Sequence, residues 1–262
     1  VERFARERQT LADLAHPHIA RLFDGGETAE GQPYIVMEYV PGRPITVWAR
    51  ERGLDLRARL RLFLDACEAV RFAHQNLVIH RDITPGNVLV TEAGVVKLID
   101  FGIARPPEVR SSETPSQASL AGLTLTPGFA APERMQGAGA STLVDVYSLG
   151  RLLDALLEGL APDPDLAAIV ASATAEAPDA RYVGVDALMA DVRAWLSGRP
   201  VAARNGGRRY AFGKFVGRHR RSVAASAMPV EMPVRNVAAC DWRSARARAA
   251  SPAPRSRACR SG

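Results

Sequence analysis

His80-Arg81-Asp82-Ile83-Thr84-Pro85-Gly86-Asn87 is the stretch on which the fold turns. Its Pro-Gly step is turn chemistry, and the oxygen-bearing side chains of Asp82 and Asn87 stand on either side of that turn. An apolar run, Val88-Leu89-Val90, follows directly, and a second run from Val95 to Ile99 returns after the Ala93-Gly94 turn. Two short apolar runs joined by a Gly turn read as a β-hairpin. At its far end stands Asp100-Phe101-Gly102, thirteen positions after Asn87, and Ala131-Pro132-Glu133 comes later. Each triplet alone reads as an exposed polar turn. Weight comes from their order and from the hairpin between them, which the two polar clusters flank in sequence.

Working outward, Phe4, Leu11 and Leu14 fall on one side of a charged segment over residues 2–15, which the His16-Pro17 step ends. The runs Ile19 to Phe23 and Tyr34 to Val40, separated by a Gly-rich polar turn, predict an antiparallel strand pair. From Leu56 the positions Leu60, Phe63, Cys67, Val70 and His74 recur by threes and fours, the spacing of a long helix with one buried stripe. Val144 to Leu157 is apolar nearly all round, so a helix buried at the centre is expected there. Further helices are predicted over 165–176 and 185–197, the second with Leu188, Val192 and Trp195 on one stripe. Residues 104–128, rich in Ser, Thr, Pro and Gly, read as a long loop of the kind that is usually functional.

In this order and spacing, the three motifs resemble the signature set of the eukaryotic-like bacterial serine/threonine protein kinases. The resemblance covers about residues 2–200. It implies an α+β, protein-kinase-like fold with a mostly helical C-lobe and an incomplete N-lobe of helix C and two strands. It also implies transfer of the ATP γ-phosphate to Ser/Thr hydroxyls of a protein substrate, with Mg²⁺. Phosphoryl transfer needs positioning and charge neutralisation more than covalent chemistry, which suits carboxylate and amide oxygens around a hard cation. On that resemblance Asp82 orients the substrate hydroxyl and accepts its proton, and Asn87 and Asp100 hold Mg²⁺. Arg81 would receive a phosphorylated side chain of the long loop, where Ser111, Ser112, Thr114, Ser116, Ser119 and Thr124 are candidates. Glu7 matches the helix-C glutamate. In Tyr34-Ile35-Val36-Met37-Glu38-Tyr39-Val40, Met37 would lie at the back of the adenine pocket, with backbone groups of Glu38 and Val40 facing the base and Leu89 also in the nucleotide site. Asp145 resembles an aspartate that supports the catalytic-loop backbone, and Glu133 with Arg181 an ion pair within the lower lobe.

Two departures are visible. The resemblance implies a glycine-rich loop and a strand lysine ahead of helix C, and neither precedes Glu7 in these 262 residues, so a truncated form is expected. Lys97, one of only two lysines, falls in the hairpin strand, where an exposed or loosely paired side chain is expected. Thr84 stands where such kinases usually carry a lysine near the transferred phosphate. The alternative is therefore a catalytically inactive pseudokinase or binding module.

Composition bounds the remainder. A chain of 262 residues with 47% hydrophobic content suits one globular domain with an appendage. The net charge of +6 conceals a split: from Arg199 onward there are 15 Lys/Arg against 2 acids, leaving 19 against 26 before it. The expected organisation is a partial N-lobe over 1–40, a C-lobe over 41–198, a basic juxtamembrane-like segment over 199–227 and an Arg-rich, disordered tail over 228–262. Related receptor-like kinases carry a membrane helix after such a basic segment. Here Ser222 to Ala227 starts like one and gives way to Met228-Pro229, as a frame change or truncation would produce. The tail has Trp242 but no repeated aromatic interleaving, so specific nucleic-acid binding is not expected. Cys67, Cys240 and Cys259 suggest neither a disulfide framework nor a zinc motif. A charged N-terminal stretch and no run of roughly 18 apolar residues lead to a cytoplasmic expectation.

Overall fold

A computed structural model describes residues 14–29, 33–101, 128–135, 141–204, 206–207, 210–212 and 214. The helix expected over 2–15, except Leu14 and Ala15, lies outside the described residues, and so do Glu7, the loop through residue 127 and the Arg-rich tail.

Two small sheets and a set of helices make up the described fold. β1 (Leu22–Glu27) pairs antiparallel with β2 (Pro33–Met37), placing Leu22 opposite Met37 and Glu27 opposite Pro33. The pair forms, with its first strand later than the apolar run Ile19 to Phe23 and its second ending before Val40. Asp24-Gly25-Gly26 is strand rather than turn, and a Cβ on Gly26 would meet the Tyr34 hydroxyl at 2.8 Å. Ile19 and Ala20 instead bind the distal hairpin: Ala20 N–H donates to Leu98 O at 2.9 Å, and Leu98 N–H to His18 O at 2.8 Å.

That hairpin, β4 (Val88–Thr91) and β5 (Val96–Leu98), is extended by β3 (Gly42–Pro44) into an antiparallel sheet ordered β3-β4-β5. No local sequence pattern predicts β3 or the short helix α1 (Ile45–Glu51) after it. Three residues carry no alternation to read, and a seven-residue helix is too short to hold itself without packing. Packing supplies what propensity lacks: Ile45, Trp48 and Ala49 of α1 are buried.

The long helix α2 (Leu56–Gln75) begins at Asp55, whose carboxylate accepts the Ala58 N–H at 2.7 Å as an N-cap. Leu60, Phe63, Cys67 and Val70 are fully buried, as their spacing predicts. Burial pushes the Cys67 thiol well above its ordinary range, so it serves as a packing residue. After α3 (Pro132–Met135), helix α4 (Thr142–Leu157) packs against α2 and buries Val146, Leu149, Leu152, Leu153 and Leu156. α5 (Pro164–Ala173) and α6 (Val185–Leu196) complete the helical body, with Leu188 and Val192 buried and Trp195 partly so. Among the described residues no helix is long and apolar enough to cross a membrane.

α4 and α5 approach closely at Gly150, where an added Cβ would lie 2.7 Å from Ala173 Cβ and 2.8 Å from Thr174 Cγ2. A methyl gained inside a filled contact forces backbone movement. Gly150→Ala is expected to destabilise the domain by about 1–3 kcal/mol, which a shift in urea midpoint would register.

Candidate active site

The polar cluster is assembled around a buried carboxylate. Asp145, in the first turn of α4, is fully buried and accepts His80 N–H at 2.9 Å and Arg81 N–H at 2.8 Å. Its Oδ2 also lies 2.7 Å from Nε2 of His74, in the last turn of α2. Two helices thus fix the start of the 80–87 stretch, the role the sequence reading expected of Asp145. Arg81 sits at φ 70° and Asp100 at φ 55°, the left-handed region that non-glycine residues enter only when their surroundings hold them there. Arg134 donates to the Arg81 carbonyl from the other side.

His80 joins the two ends of the hairpin. Its fully buried ring has Nε2 3.0 Å from Ile99 O, and its centroid lies 4.7 Å from that of Phe101. Asp82 N–H donates to His80 Nδ1 at 3.3 Å. The pattern requires Nε2–H as donor and Nδ1 as acceptor, the neutral ring. Burial pushes the His80 pKa below its ordinary 6.5, although Asp145 and the Ile99 carbonyl pull the other way. A folded-state pKa below the unfolded one means that stability is complete above pH 6.5 and is lost as pH falls from there toward the depressed value. The unfolding midpoint in urea is therefore expected to fall between about pH 7 and pH 5.5, with a smaller fall in His80→Asn.

Within the stretch, Pro85–Asn87 form one 3-10 turn after Thr84, and the Asn87 N–H closes it on Thr84 O at 3.0 Å. Asn87 Nδ2 donates to Asp82 O at 2.8 Å and lies 3.3 Å from Asp82 Oδ2. Ile99 N–H donates to Asn87 O at 2.9 Å. Asp82, Asn87 and Asp100 are thereby brought to one place, Asp100 exposed and the adjoining Phe101 buried. Thr84 is buried, with 7% of its surface exposed.

A small concavity opens beside Asp100, lined by Ile19, Ala20, Leu22, Met37, Leu98, Ile99, Asp100 and Phe101. Met37 thus stands in a pocket with Asp100. Val40 is buried, and Leu89 is half-buried in β4 opposite Lys97 and Pro44. The Glu38 N–H donates to Arg21 O at 2.7 Å, so of its two backbone groups the carbonyl is the one that a ligand could meet. Lys97 differs from expectation: its Nζ lies 3.1 Å from Glu38 Oε2 and 3.4 Å from Ile19 O, so it is a paired cation and not a loose one. The Arg21 N–H bond, and then Lys97, hold the Glu38 carboxyl below the usual carboxylate range against the opposing effect of burial.

Below the cluster, Arg181 Nη1 and Nη2 donate to the two Glu133 oxygens at 2.6 and 2.7 Å. Arg181 also donates to the carbonyls of Ala175, Glu176 and Leu143, and its guanidinium stands 4.9 Å from the Tyr147 ring centre. Burial would raise Glu133, yet the Arg181 hydrogen bonds hold it below its ordinary value.

Among the described residues no group of three or more His, Cys, Asp or Glu is arranged to hold a metal. An Asp and an Asn oxygen are nonetheless the donor types a magnesium ion takes when phosphates complete its shell.

A helical body under small sheets, with Asp82, Asn87 and Asp100 gathered at the hairpin ends, is the arrangement of a protein-kinase fold. The protein kinase domain model matches residues 1–177, and the chain belongs to that family. It is 35% identical over 233 residues to the serine/threonine-protein kinase PknB of Mycobacterium leprae, covering 77% of this chain and 37% of that protein. To the probable serine/threonine-protein kinase SCO3848 of Streptomyces coelicolor it is 34% identical over 233 residues, 77% of this chain and 34% of that one. The chain thus spans little more than a third of the length of these relatives. The crystal structure of Rad53 1-466 in complex with AMP-PNP superposes with a TM-score of 0.57 at 22% identity, covering 72% of this chain and 54% of that one, a likeness of fold.

Proposed function

We propose that the chain is the catalytic part of a serine/threonine protein kinase that transfers the γ-phosphoryl group of ATP to hydroxyls of a protein substrate. The observation that carries this reading is the hydrogen-bonded set Asp82–Asn87–Ile99, which holds a carboxylate and an amide beside the residue that leads directly into Asp100. Asp82 accepts the proton of the substrate hydroxyl and aims that oxygen at phosphorus. Asn87, whose Nδ2 is spent on Asp82, offers Oδ1 to a Mg²⁺ ion, and Asp100 offers its exposed carboxylate. A bound Mg²⁺ would neutralise charge on the phosphate oxygens. Met37, Leu89, Val40 and the Glu38 carbonyl surround the base, Glu7 belongs to the helix-C element, and Arg81 awaits a phosphorylated loop residue. In this reading residues 1–40 are upper-lobe and 41–198 lower-lobe, with a basic segment over 199–227 and a tail beyond, on the cytoplasmic side if the parent protein is membrane-anchored.

The reading is tested on the protein expressed from its full reading frame. Phosphate incorporation from γ-labelled ATP is expected, and Asp82→Asn is expected to lower kcat by at least about 100-fold while the thermal midpoint holds. Full activity in Asp82→Asn would overturn the assignment. A second reading, a binding module without turnover, is favoured by Thr84, a buried hydroxyl that supplies no charge to a transferring phosphate. Nucleotide binding without phosphate incorporation, unchanged in Thr84→Lys, would select it.

A further inference from the structure

We infer that Lys97 is a positioning residue for nucleotide, a staple that fixes the segment carrying Glu38 and Val40 against the strand that delivers Asp100. The inference rests on the kinase reading above.

Three segments meet at this one cation. Lys97 projects from β5, three residues before Asp100. Its Nζ reaches Glu38 Oε2 at 3.1 Å, directly after β2, and Ile19 O at 3.4 Å on the strand-like segment that binds β5. Glu38 is held on both sides as well. Its Oε2 accepts Arg21 N–H at 3.0 Å, and its own N–H donates to Arg21 O at 2.7 Å.

An exposed ion pair would contribute little, because water screens it and long side chains lose entropy in making it. This pair is mostly covered, with side-chain exposures of 18% for Lys97 and 32% for Glu38. Its neighbours Val96 and Leu98 point into the core, and both the N–H and the C=O of Leu98 are bonded to residues 18–20, so the root of the lysine cannot drift. The base end of a nucleotide would be met by the Glu38–Val40 backbone and the phosphate end by Asp100. A tie between those two segments sets the span a nucleotide must match, and a site pre-organised to that span binds more tightly because less ordering is left to be done on binding.

The test uses the full reading frame with Mg·ATP as probe, measuring nucleotide affinity together with KM for ATP and kcat. Lys97→Met is expected to raise KM for ATP and the nucleotide Kd by about 10-fold while kcat changes less than about 3-fold, the split expected when binding alone is lost. Lys97→Arg should restore most of the affinity, and Glu38→Gln combined with Lys97→Met should be no worse than Lys97→Met alone. An unchanged KM in a folded Lys97→Met protein overturns the inference and leaves the kinase reading standing. So does an equal loss in Lys97→Arg. If the wild-type protein binds no Mg·ATP, the kinase reading fails, and this inference with it.

Discussion

Replacement of Asp145 by Ala is expected to cost about 3–5 kcal/mol of folding stability, measured by urea unfolding with a helical signal. The carboxylate is fully buried and holds two backbone N–H groups, those of His80 and Arg81, together with the His74 ring. Hydrogen bonds to a charged acceptor contribute roughly 1.5–3 kcal/mol each, and donors left unpaired in the interior incur their desolvation cost in full. Arg81 feels the loss most, because its left-handed backbone at φ 70° persists only while its surroundings hold it. Asp145→Asn keeps the shape and one acceptor oxygen, so it should recover part of the loss. A folded Asp145→Ala protein of wild-type stability would show that the stretch at residues 80–87 organises itself without α4.

Arg181→Met is expected to be comparably harmful, about 3–5 kcal/mol. The guanidinium has no exposed side-chain surface, and its loss strands a carboxylate and three carbonyls at once. Glu133 would then regain the upward push of burial that Arg181 now overcomes, and its pKa should rise. The sign follows: a depressed folded-state carboxylate pKa contributes stability above the unfolded value of 4.5, lost as pH falls through the folded value. The wild-type protein should therefore lose more stability than Arg181→Met when acidified below about pH 5. Glu133→Gln with Arg181→Met should cost less than the two single losses added, because removing both partners leaves no stranded charge.

Both outcomes concern residues whose roles are legible in the sequence, since the family motifs single out Asp145 and the Glu133–Arg181 pair. Helical stripes were readable too: Leu60, Phe63, Cys67 and Val70 are buried as a period of three and four demands. What sequence could not show was decided by contacts between distant segments. Ile19 reads as the start of a strand that pairs with β2, yet it is bridged to Leu98 through the flanking His18 carbonyl and Ala20 N–H, and no local pattern signals a partner 79 positions away. Lys97 reads as exposed or loosely paired because its partner Glu38 lies 59 positions away, beyond the reach of any local pattern. α1 was silent because its reason to be helical is the burial of Ile45 and Trp48, which is tertiary.

The buried imidazole of His80 has one more consequence. With a single proton, on Nε2, the ring must donate to Ile99 and accept from Asp82 at the same moment, so it cannot satisfy one neighbour independently of the other. Separation of the two motif segments would free that proton to exchange with water and let the ring change tautomer. The imidazole nitrogen resonances therefore offer a spectroscopic gauge of whether the two halves of the centre are in register, readable without substrate, nucleotide or turnover.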